Sequence, residues 1–535
     1  MAPNERAKTP GPGTRGDTMN DSQRQIPSQP QGGRHRRSGA SGGADMARMA
    51  RGGGLNLVGA VLGQAALLGV ITLIGNVLGS AAVGRYSVLY AILTLLSLLS
   101  LAGFRAGLTR FVAMFLADED AARVRGTVRL GLGVTIAASV VIGGVLAALA
   151  PSVAQFYGNP DLVSGIRWIA VALPAASFSD AALSATQGWR SQREFALIGR
   201  ILDPLLQLIL TAAFLLLGWG VDGAILAIPL SAWTTATMAA IALGRRMRSI
   251  PRASPVYEAR RIFSFSFVSW GSALAQTGLV WAGTLILAAH ASEEQVGIFT
   301  MAARIVSLAV YVMTPIINTF SPHVAHLHHI GDRAGVSTAY GSATRWIVQL
   351  SAPAFVVLLL VPGLLLRVLG DDKGAGAAVV VILALGQMVS AAAGPCGVVL
   401  NMSGKVALSL IDNVVVLVLN VILNLLLIPK WGIGGAATAW SAALILGNLA
   451  KVAQVHAVLH VTARRPAILR TALLACVSAV GGWAVREVST LWWVNLMLVV
   501  LVVGAVYTAT LARFGLDRDD VVFLRSLRRR RRNVG

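Results

Sequence analysis

Residues 55–79 read LNLVGAVLGQAALLGVITLIGNVLG, a run of 25 residues without one charged side chain. A helix crosses the ~30 Å hydrocarbon core of a bilayer with about 20 apolar residues, so this stretch reads as a membrane span. Working outward from it, thirteen further apolar segments follow, near 86–107, 129–150, 165–187, 200–217, 223–243, 263–289, 297–320, 344–369, 377–400, 408–428, 434–457, 469–487 and 493–513. Prolines interrupt several of them (Pro174, Pro204, Pro229, Pro315, Pro353, Pro362 and Pro395). Transmembrane helices tolerate such residues where neighbours re-satisfy the freed backbone groups. The expected fold class is an all-α polytopic membrane protein with about 14 transmembrane helices.

Composition agrees with the segments. Of 535 residues, 55% are hydrophobic and only 13% charged, with a mean hydropathy of +0.70. Soluble domains carry about 25% charge. A soluble enzyme is excluded, as is a collagen-like, coiled-coil or largely disordered chain. Residues 1–54 are rich in Gly, Pro, Ser, Gln and Arg, a composition that cannot bury a core, and are expected to be a disordered basic tail. No apolar region of a secretory signal lies near the start. Residues 514–535, with Arg528 to Arg532, form a second basic tail. Cys396 and Cys476 both lie in apolar runs and offer neither a disulfide framework nor metal-ligand spacing.

The net charge is +22, and its placement sets the orientation. With the N-terminus in the cytoplasm, 38 of the 45 lysines and arginines fall on the cytoplasmic side. Six fall outside (Arg85, Arg167, Arg367, Lys373, Lys430 and Arg486), and Arg304 sits within a helix. This is a strong positive-inside asymmetry. It places both termini in the cytoplasm and the protein in the cytoplasmic membrane. The densest inner loop, Arg245 to Arg261, faces the anionic leaflet, which accounts for the basic charge without nucleic acid.

The two halves of the core repeat. Leu62-Gly-Gln64-Ala-Ala-Leu67 matches Leu274-Ala-Gln276-Thr-Gly-Leu279, and Thr72-Leu-Ile74 matches Thr284-Leu-Ile286, both at an offset of 212. Val83-Gly84-Arg-Tyr86 meets Val296-Gly297-Ile-Phe299 at 213, and Trp219-Gly220-Val-Asp-Gly223-Ala224 meets Trp431-Gly432-Ile-Gly-Gly435-Ala436 at 212. The unit holds six helices. An even number makes both copies enter from one side, which predicts parallel repeats around a central site. The expected organisation is an N-lobe at 55–243 (helices 1–6), a cytoplasmic linker at 244–262, a C-lobe at 263–457 (helices 7–12), and helices 13 and 14 within 458–513.

At this point the chain resembles the multidrug/oligosaccharidyl-lipid/polysaccharide exporter superfamily, and is most similar to its polysaccharide branch, the O-antigen-type flippases. The resemblance is carried by VGRYSVLYA (83–91), LAGFRAGLTRFVA (101–113), VGIFTMAARI (296–305) and WGIGGAATAW (431–440). It implies a transporter that needs no cofactor and performs no chemical reaction. Such a protein carries a polyprenyl-pyrophosphate-linked oligosaccharide from the inner to the outer leaflet by alternating access. Its implied partners are that substrate, the membrane lipids and other polysaccharide-assembly membrane proteins. Two extra helices also occur in lipid II flippases, so lipid II is an alternative cargo. A cation-coupled exporter of small amphiphiles is a second alternative, which would have a narrower, more acidic cavity.

A pyrophosphate needs cations, and an ionisable residue inside the membrane is a site candidate. Arg304, inside helix 8, is the first, with snorkelling to the interface as the alternative. Arg105 and Arg110 flank the inner end of helix 2, where anchoring is the alternative. Gln64 and Gln276 are repeat-related and near mid-membrane, placed to line a cavity or to bond neighbouring helices; Asn76 and Asn318 are weaker versions. Asp180 and Asp412, in helices 4 and 11, are ion-coupling candidates, with pairing inside a lobe as the alternative. Asp203 reads as a carboxylate favoured at a helix start. Trp270 and Trp281 would stack on sugars or anchor at the interface. His323, His326, His328 and His329 lack the further ligands of a metal site. No GxxxxGK[ST] is present, so this chain does not hydrolyse ATP. The short outer loops leave no room for the catalytic domain of a glycosyltransferase.

Overall fold

A helix satisfies its backbone hydrogen bonds within one segment, which is what lipid requires. Among the described residues of the computed structural model every regular element is helical. The protein is an all-α polytopic membrane protein. The structure describes residues 38–515 apart from 312, 373 and 460–465. Most of both basic tails expected from the sequence, 1–37 and 516–535, lies outside the described residues. Residues 52–535 form one unit, separate from residues 1–51, and the membrane core belongs to this larger unit.

The first half runs α1 (Ser38–Leu78), α2 (Ser80–Ser100), α3 (Phe104–Ala117), α4 (Ala121–Ala148), α5 (Ala150–Phe156), α6 (Leu162–Gln187), a π-helical turn (Phe195–Leu202), α7 (Asp203–Leu216) and α8 (Gly220–Arg248). The second half runs α9 (Ala259–Ala288), α10 (Glu293–Tyr311), α11 (Thr314–His329), α12 (Arg333–Leu360), α13 (Pro362–Val368), α14 (Ala377–Ala393), α15 (Cys396–Met402) and α16 (Val406–Leu459). Two more helices, α17 (Pro466–Val485) and α18 (Trp492–Thr510), follow. The first helix starts ahead of the expected residue 55. Its spanning part is Val58–Leu78, because the polar stretch before it bars burial but not helical hydrogen bonding.

Element boundaries recur at the 212-residue spacing. α4 and α12 start at Ala121 and Arg333 and end at Ala148 and Leu360, and α5 and α13 keep the same offset at both ends. The N-cap carboxylates recur too. Asp120 accepts from the Arg123 amide at 2.9 Å and Asp332 from the Gly335 amide at 2.7 Å.

Among the described residues, ten helices are long and apolar enough to cross a membrane, or twelve if two bent pairs are each one span. The pairs are α10 with α11, bent by 48°, and α14 with α15, bent by 43°. Proline sets both breaks. Pro315 has no N–H to donate back and its ring opposes the carbonyl four residues earlier, so α10 stops at Tyr311; Pro395 acts likewise after α14. Helix 2, expected unbroken to residue 107, also breaks, at Gly103 with φ 79°. α16 is too long for one crossing. Its apolar part of 52 residues extends about 78 Å at about 1.5 Å per residue. It is broken at Gly432, whose φ of 52° and ψ of −128° are not helical.

The halves share their main core at one end. One buried cluster joins Val70, Ile74, Val83, Leu89 and Ile166 of the first half to Val296, Phe299, Met301, Leu366 and Val380 of the second. At the opposite end a first-half cluster takes in only Ile262, at the start of α9, and the second half keeps a separate one. Phe104, Leu108, Phe111 and Phe195 pack together in the first half, and Phe320, Val324, Tyr340 and Val399 in the second. We call the joined end the tight end and the other, which carries Arg245 to Arg261, the basic end. In lipid, helices associate by close packing of small residues rather than by hydrophobic burial, and the tight end does so. A Cβ on Gly84 would lie 2.0 Å from the Glu293 carbonyl oxygen, and one on Gly297 would lie 1.8 Å from that of Ser80. Only glycine fits this crossing of α2 and α10.

Candidate functional site

A polar cavity lies in the first half, toward the basic end, and α9 of the second half borders it. It encloses about 230 Å³, and its polar lining includes Tyr90, Arg105, Asp180, Asp203, Gln207 and Ser231, with Thr277 of α9 contributed from the second half. The bundle carries these groups on α2, α3, α6, α7 and α8, which converge because small residues such as Ala176 and Ala232 line the same crossing. Asp180 and Arg105, taken separately from the sequence, thus come together. Asp203 joins them, its Oδ1 accepting from Thr235 Oγ1 at 3.1 Å. By sequence Asp203 sits at a helix boundary; the helical stretch in fact begins at Phe195, which draws Asp203 and Arg200 into the span Phe195–Leu216.

Arg304 stands on the second-half wall. It is half-buried in α10, and its guanidinium carbon lies 5.2 Å from the ring centroid of Trp281. Trp281 in turn touches Tyr90 (5.9 Å between centroids), which stacks on Tyr86 at 6.0 Å. This aromatic row links Arg304 to the first-half cavity. Among the described residues no carboxylate lies within ion-pair distance of Arg304, Arg105 or Arg200.

The other candidates separate. Arg110 is turned away from the cavity, its guanidinium carbon 4.3 Å from the Phe265 ring centroid and 5.9 Å from that of Phe111. Asn76 donates to the carbonyls of Thr72 (2.8 Å) and Val368 (2.9 Å), tying the two halves at the tight end. Gln64 is half-buried in α1, Gln276 is exposed on α9 and Asn318 is exposed on α11. Gln276 donates to Ser272 Oγ at 3.3 Å. That hydroxyl also accepts from Asn413 at 3.2 Å, and Asn413 accepts from Lys451 Nζ at 3.0 Å. Asp412, only 8% exposed, accepts from Gln454 at 2.7 Å rather than from an arginine or from Asn413. Its second oxygen and the Gln454 oxygen are buried without a hydrogen-bond partner. Trp270 is half-buried and donates to the Leu98 carbonyl at 3.0 Å, and Trp281 is buried. The four histidines on α11 are exposed, and no metal-holding cluster of His, Cys, Asp and Glu occurs among the described residues.

Three groups escape sequence reasoning. Arg200, the first residue of the segment 200–217, is placed with the preceding inner loop in the positive-inside tally. Lys451 falls with an inner loop in the positive-inside tally. Arg85 and Glu293 fall among outer-loop charges, yet Arg85 Nε donates to Glu293 Oε1 at 3.0 Å across the halves. Asn159 donates to the same carboxylate, and Arg85 Nη2 reaches Asp161 at 3.3 Å. The signal available in the sequence is their position at the ends of repeat-related apolar segments.

Known proteins share both the sequence pattern and the fold. Residues 49–328 match a family described as "Polysaccharide biosynthesis protein". A protein of Haloferax volcanii named "Probable flippase AglR" is 29% identical over 199 residues, 36% of this chain. The match spans 41% of that curated relative's length. Two solved structures share the fold. One, described as an inward-facing multidrug resistance MATE family transporter of the MOP superfamily, superposes with a TM-score of 0.67 at 15% identity, covering 74% of this chain and 94% of its own. The other, lipid II flippase MurJ in an inward closed conformation, gives 0.64 at 13% identity, covering 86% of this chain and 99% of its own.

Proposed function

The chain belongs to the polysaccharide biosynthesis protein family, and from that premise we propose that it flips a polyprenyl-pyrophosphate-linked oligosaccharide from the inner to the outer leaflet of the cytoplasmic membrane. The observation that carries this reading is the polar cavity of the first half, lined by Arg105 and joined through Tyr90 and Trp281 to Arg304, two guanidinium groups with no carboxylate at ion-pair distance among the described residues. Such groups are costly in a membrane, and a bound pyrophosphate would satisfy them by bidentate, charge-assisted hydrogen bonds.

In this reading the basic end and both termini are cytoplasmic by the positive-inside rule. Taking α16 as two spans meeting at Gly432, and α17 as one, brings the span count to fourteen. The halves are parallel six-helix lobes joined by a linker at 244–262, and they rock about the shared core. Arg304 and Arg105 hold the pyrophosphate, Gln64 and Gln276 line the route, and Arg110 anchors α3 on α9. Asn318 lines the second-half side, and Asn76 fastens the tight end. Asp180 and Asp412 are the groups through which a proton or sodium ion would drive the cycle. One observation favours a second reading: two carboxylates, Asp180 and Asp203, share one small cavity, which is the acidic lining expected of an amphiphile exporter.

The test is depletion of the protein in its native cell, with polyprenyl-linked sugars profiled by mass spectrometry and complementation by Arg304→Gln. A lipid-linked oligosaccharide accumulating on the inner leaflet, relieved by the native chain and not by an equally abundant Arg304→Gln chain, is the expected result. Accumulated lipid II alone would move the assignment to peptidoglycan synthesis. Unchanged lipid-linked sugars would overturn the flippase reading in favour of the exporter.

A further inference from the structure

We propose that Arg200 and Arg105 form a paired-guanidinium site for a phosphate-bearing group beside the polar cavity of the first half, with Phe195 as the platform they share. The identity of its transported occupant rests on the flippase reading; the site itself rests on the geometry around Phe195.

Arg200 is delivered by a local irregularity. Pro204 has no N–H, so the Arg200 carbonyl loses the donor that an α-helix would supply. The chain answers by widening into the π-helical turn Phe195–Leu202, in which the Asp203 amide reaches back to the Ile198 carbonyl. Turns of this kind are rare and recur at functional sites. Helix α1 seats directly on it: a Cβ on Gly63 would lie 2.3 Å from the Arg200 carbonyl oxygen, and one on Gly59 would lie 3.3 Å from that of Ala196.

The turn aims a second cation at one already present. The guanidinium carbon of Arg200 lies 5.4 Å from the Phe195 ring centroid, and that of Arg105 lies 5.9 Å from the same centroid. The two charges are within Coulombic reach of each other, and Tyr311, on the opposite half, is within reach of Arg200. Arg105 and Gly199, the neighbour of Arg200, line the polar cavity. Asp180 and Asp203 lie on the cavity beside Arg105, but neither is at ion-pair distance from either arginine, and Asp203 is bonded to Thr235. Two like charges that share an aromatic ring, with no carboxylate at ion-pair distance among the described residues, are stabilised by a multiply charged anion that accepts from both forks.

This site is separate from Arg304. Counting along the helices from the tight end at about 1.5 Å per residue, Arg304 lies about 16 Å deep and Arg200 about 24 Å. A phosphate entering from the basic end meets Arg200 and Arg105 first and Arg304 second.

The experiment uses the full chain in lipid nanodiscs, with thermal stability as the readout. Geranylgeranyl pyrophosphate and inorganic pyrophosphate are the soluble probes, and exchange of phosphatidylcholine for phosphatidylglycerol is the lipid arm. We expect the native chain to be stabilised by geranylgeranyl pyrophosphate, and Arg200→Gln and Arg105→Gln each to weaken the apparent affinity about tenfold. The double variant should be little worse than either single one, because the two residues share one ligand. Arg200→Lys, which keeps the charge and loses the planar fork, guards against misfolding and should bind between the two. Stabilisation by phosphatidylglycerol alone, lost in Arg200→Gln, would keep the phosphate site and assign it to a membrane lipid headgroup. If both glutamine variants bind the probe as the native chain does, the paired site is overturned. Loss of binding in Arg304→Gln under that outcome would leave the flippase reading standing. If the native chain responds to no phosphate probe, the site is overturned, and the lipid-linked sugar profile judges the flippase reading independently.

Discussion

Glu194 shows what one side chain decides at the basic end. Burial pushes its carboxyl up, but hydrogen bonds from Ser191 Oγ at 2.7 Å and Arg246 Nε at 3.0 Å, with the charge of Arg246, hold it below the usual carboxylate range. A carboxyl lowered on folding contributes stability that is present above its unfolded pKa, about 4.3, and is lost as pH falls through the folded value. Glu194→Gln should therefore lower stability at pH 7 by about 1 kcal/mol. The difference from the native chain should begin to shrink as the pH falls below about 4.3 and vanish once the pH is under the lower, folded value, read by thermal unfolding in detergent across that range. A constant difference at every pH would mean that Glu194 acts by shape and not by charge. Arg304 and Arg200 differ from it in kind: neither has a carboxylate partner among the described residues.

At the scale of the element, caps and breaks do the work. Asp120 and Asp332 cap repeat-related helices with the same bond. Replacing either with Ala should cost about 0.5–2 kcal/mol, and the two losses should add, since the caps share no partner. Gly432 sits at a φ of 52° and a ψ of −128°, a conformation that side chains resist. Gly432→Ala should cost about 1–3 kcal/mol and disturb the turn between the two crossings of α16. Chemical denaturation of the purified variants measures both. The sequence shows Pro315 and Pro395 as interruptions but not as bends. Whether a proline kinks a helix or ends it depends on what receives the chain afterwards; Pro174, Pro229 and Pro353 remain inside continuous helices.

At the scale of the molecule, movement requires the tight end to part. The Gly84–Gly297 crossing supplies close backbone contact, and Arg85, Glu293 and Asn159 add a half-buried ion pair across it. Breaking that pair should favour opening. Ala291 lines a small cavity beside Glu293. A cysteine there should react slowly with an impermeant maleimide in the native background and several-fold faster in Glu293→Gln. The exchange of Arg85→Glu with Glu293→Arg should restore slow labelling. Equal rates in all three would show that the glycine crossing alone holds the end closed. Gly297→Ala tests that crossing: with backbone as the obstacle, no rotamer relieves it, and overpacking of this kind costs about 1–3 kcal/mol.

Hydropathy and repeat spacing, read by themselves, determined the class of fold, the apolar segments and the offset at which element boundaries recur. They did so because a span must be apolar along its whole length and because a repeated unit leaves its pattern in the order of residues. They also singled out Arg304, Arg105 and Asp180, since a charge in an apolar run stands out. Only the tertiary structure decided which candidates meet. It brought Arg105, Asp180 and Asp203 to one cavity, turned Arg110 onto Phe265, gave Asp412 to Gln454, and moved Arg200 from the edge of an apolar segment into a π-helical turn. Those outcomes depend on which face of each helix packs against which neighbour and on where a broken helix resumes. Both are set by contacts between segments some 200 residues apart, such as Gly84 with Gly297, and not by the order of residues within either.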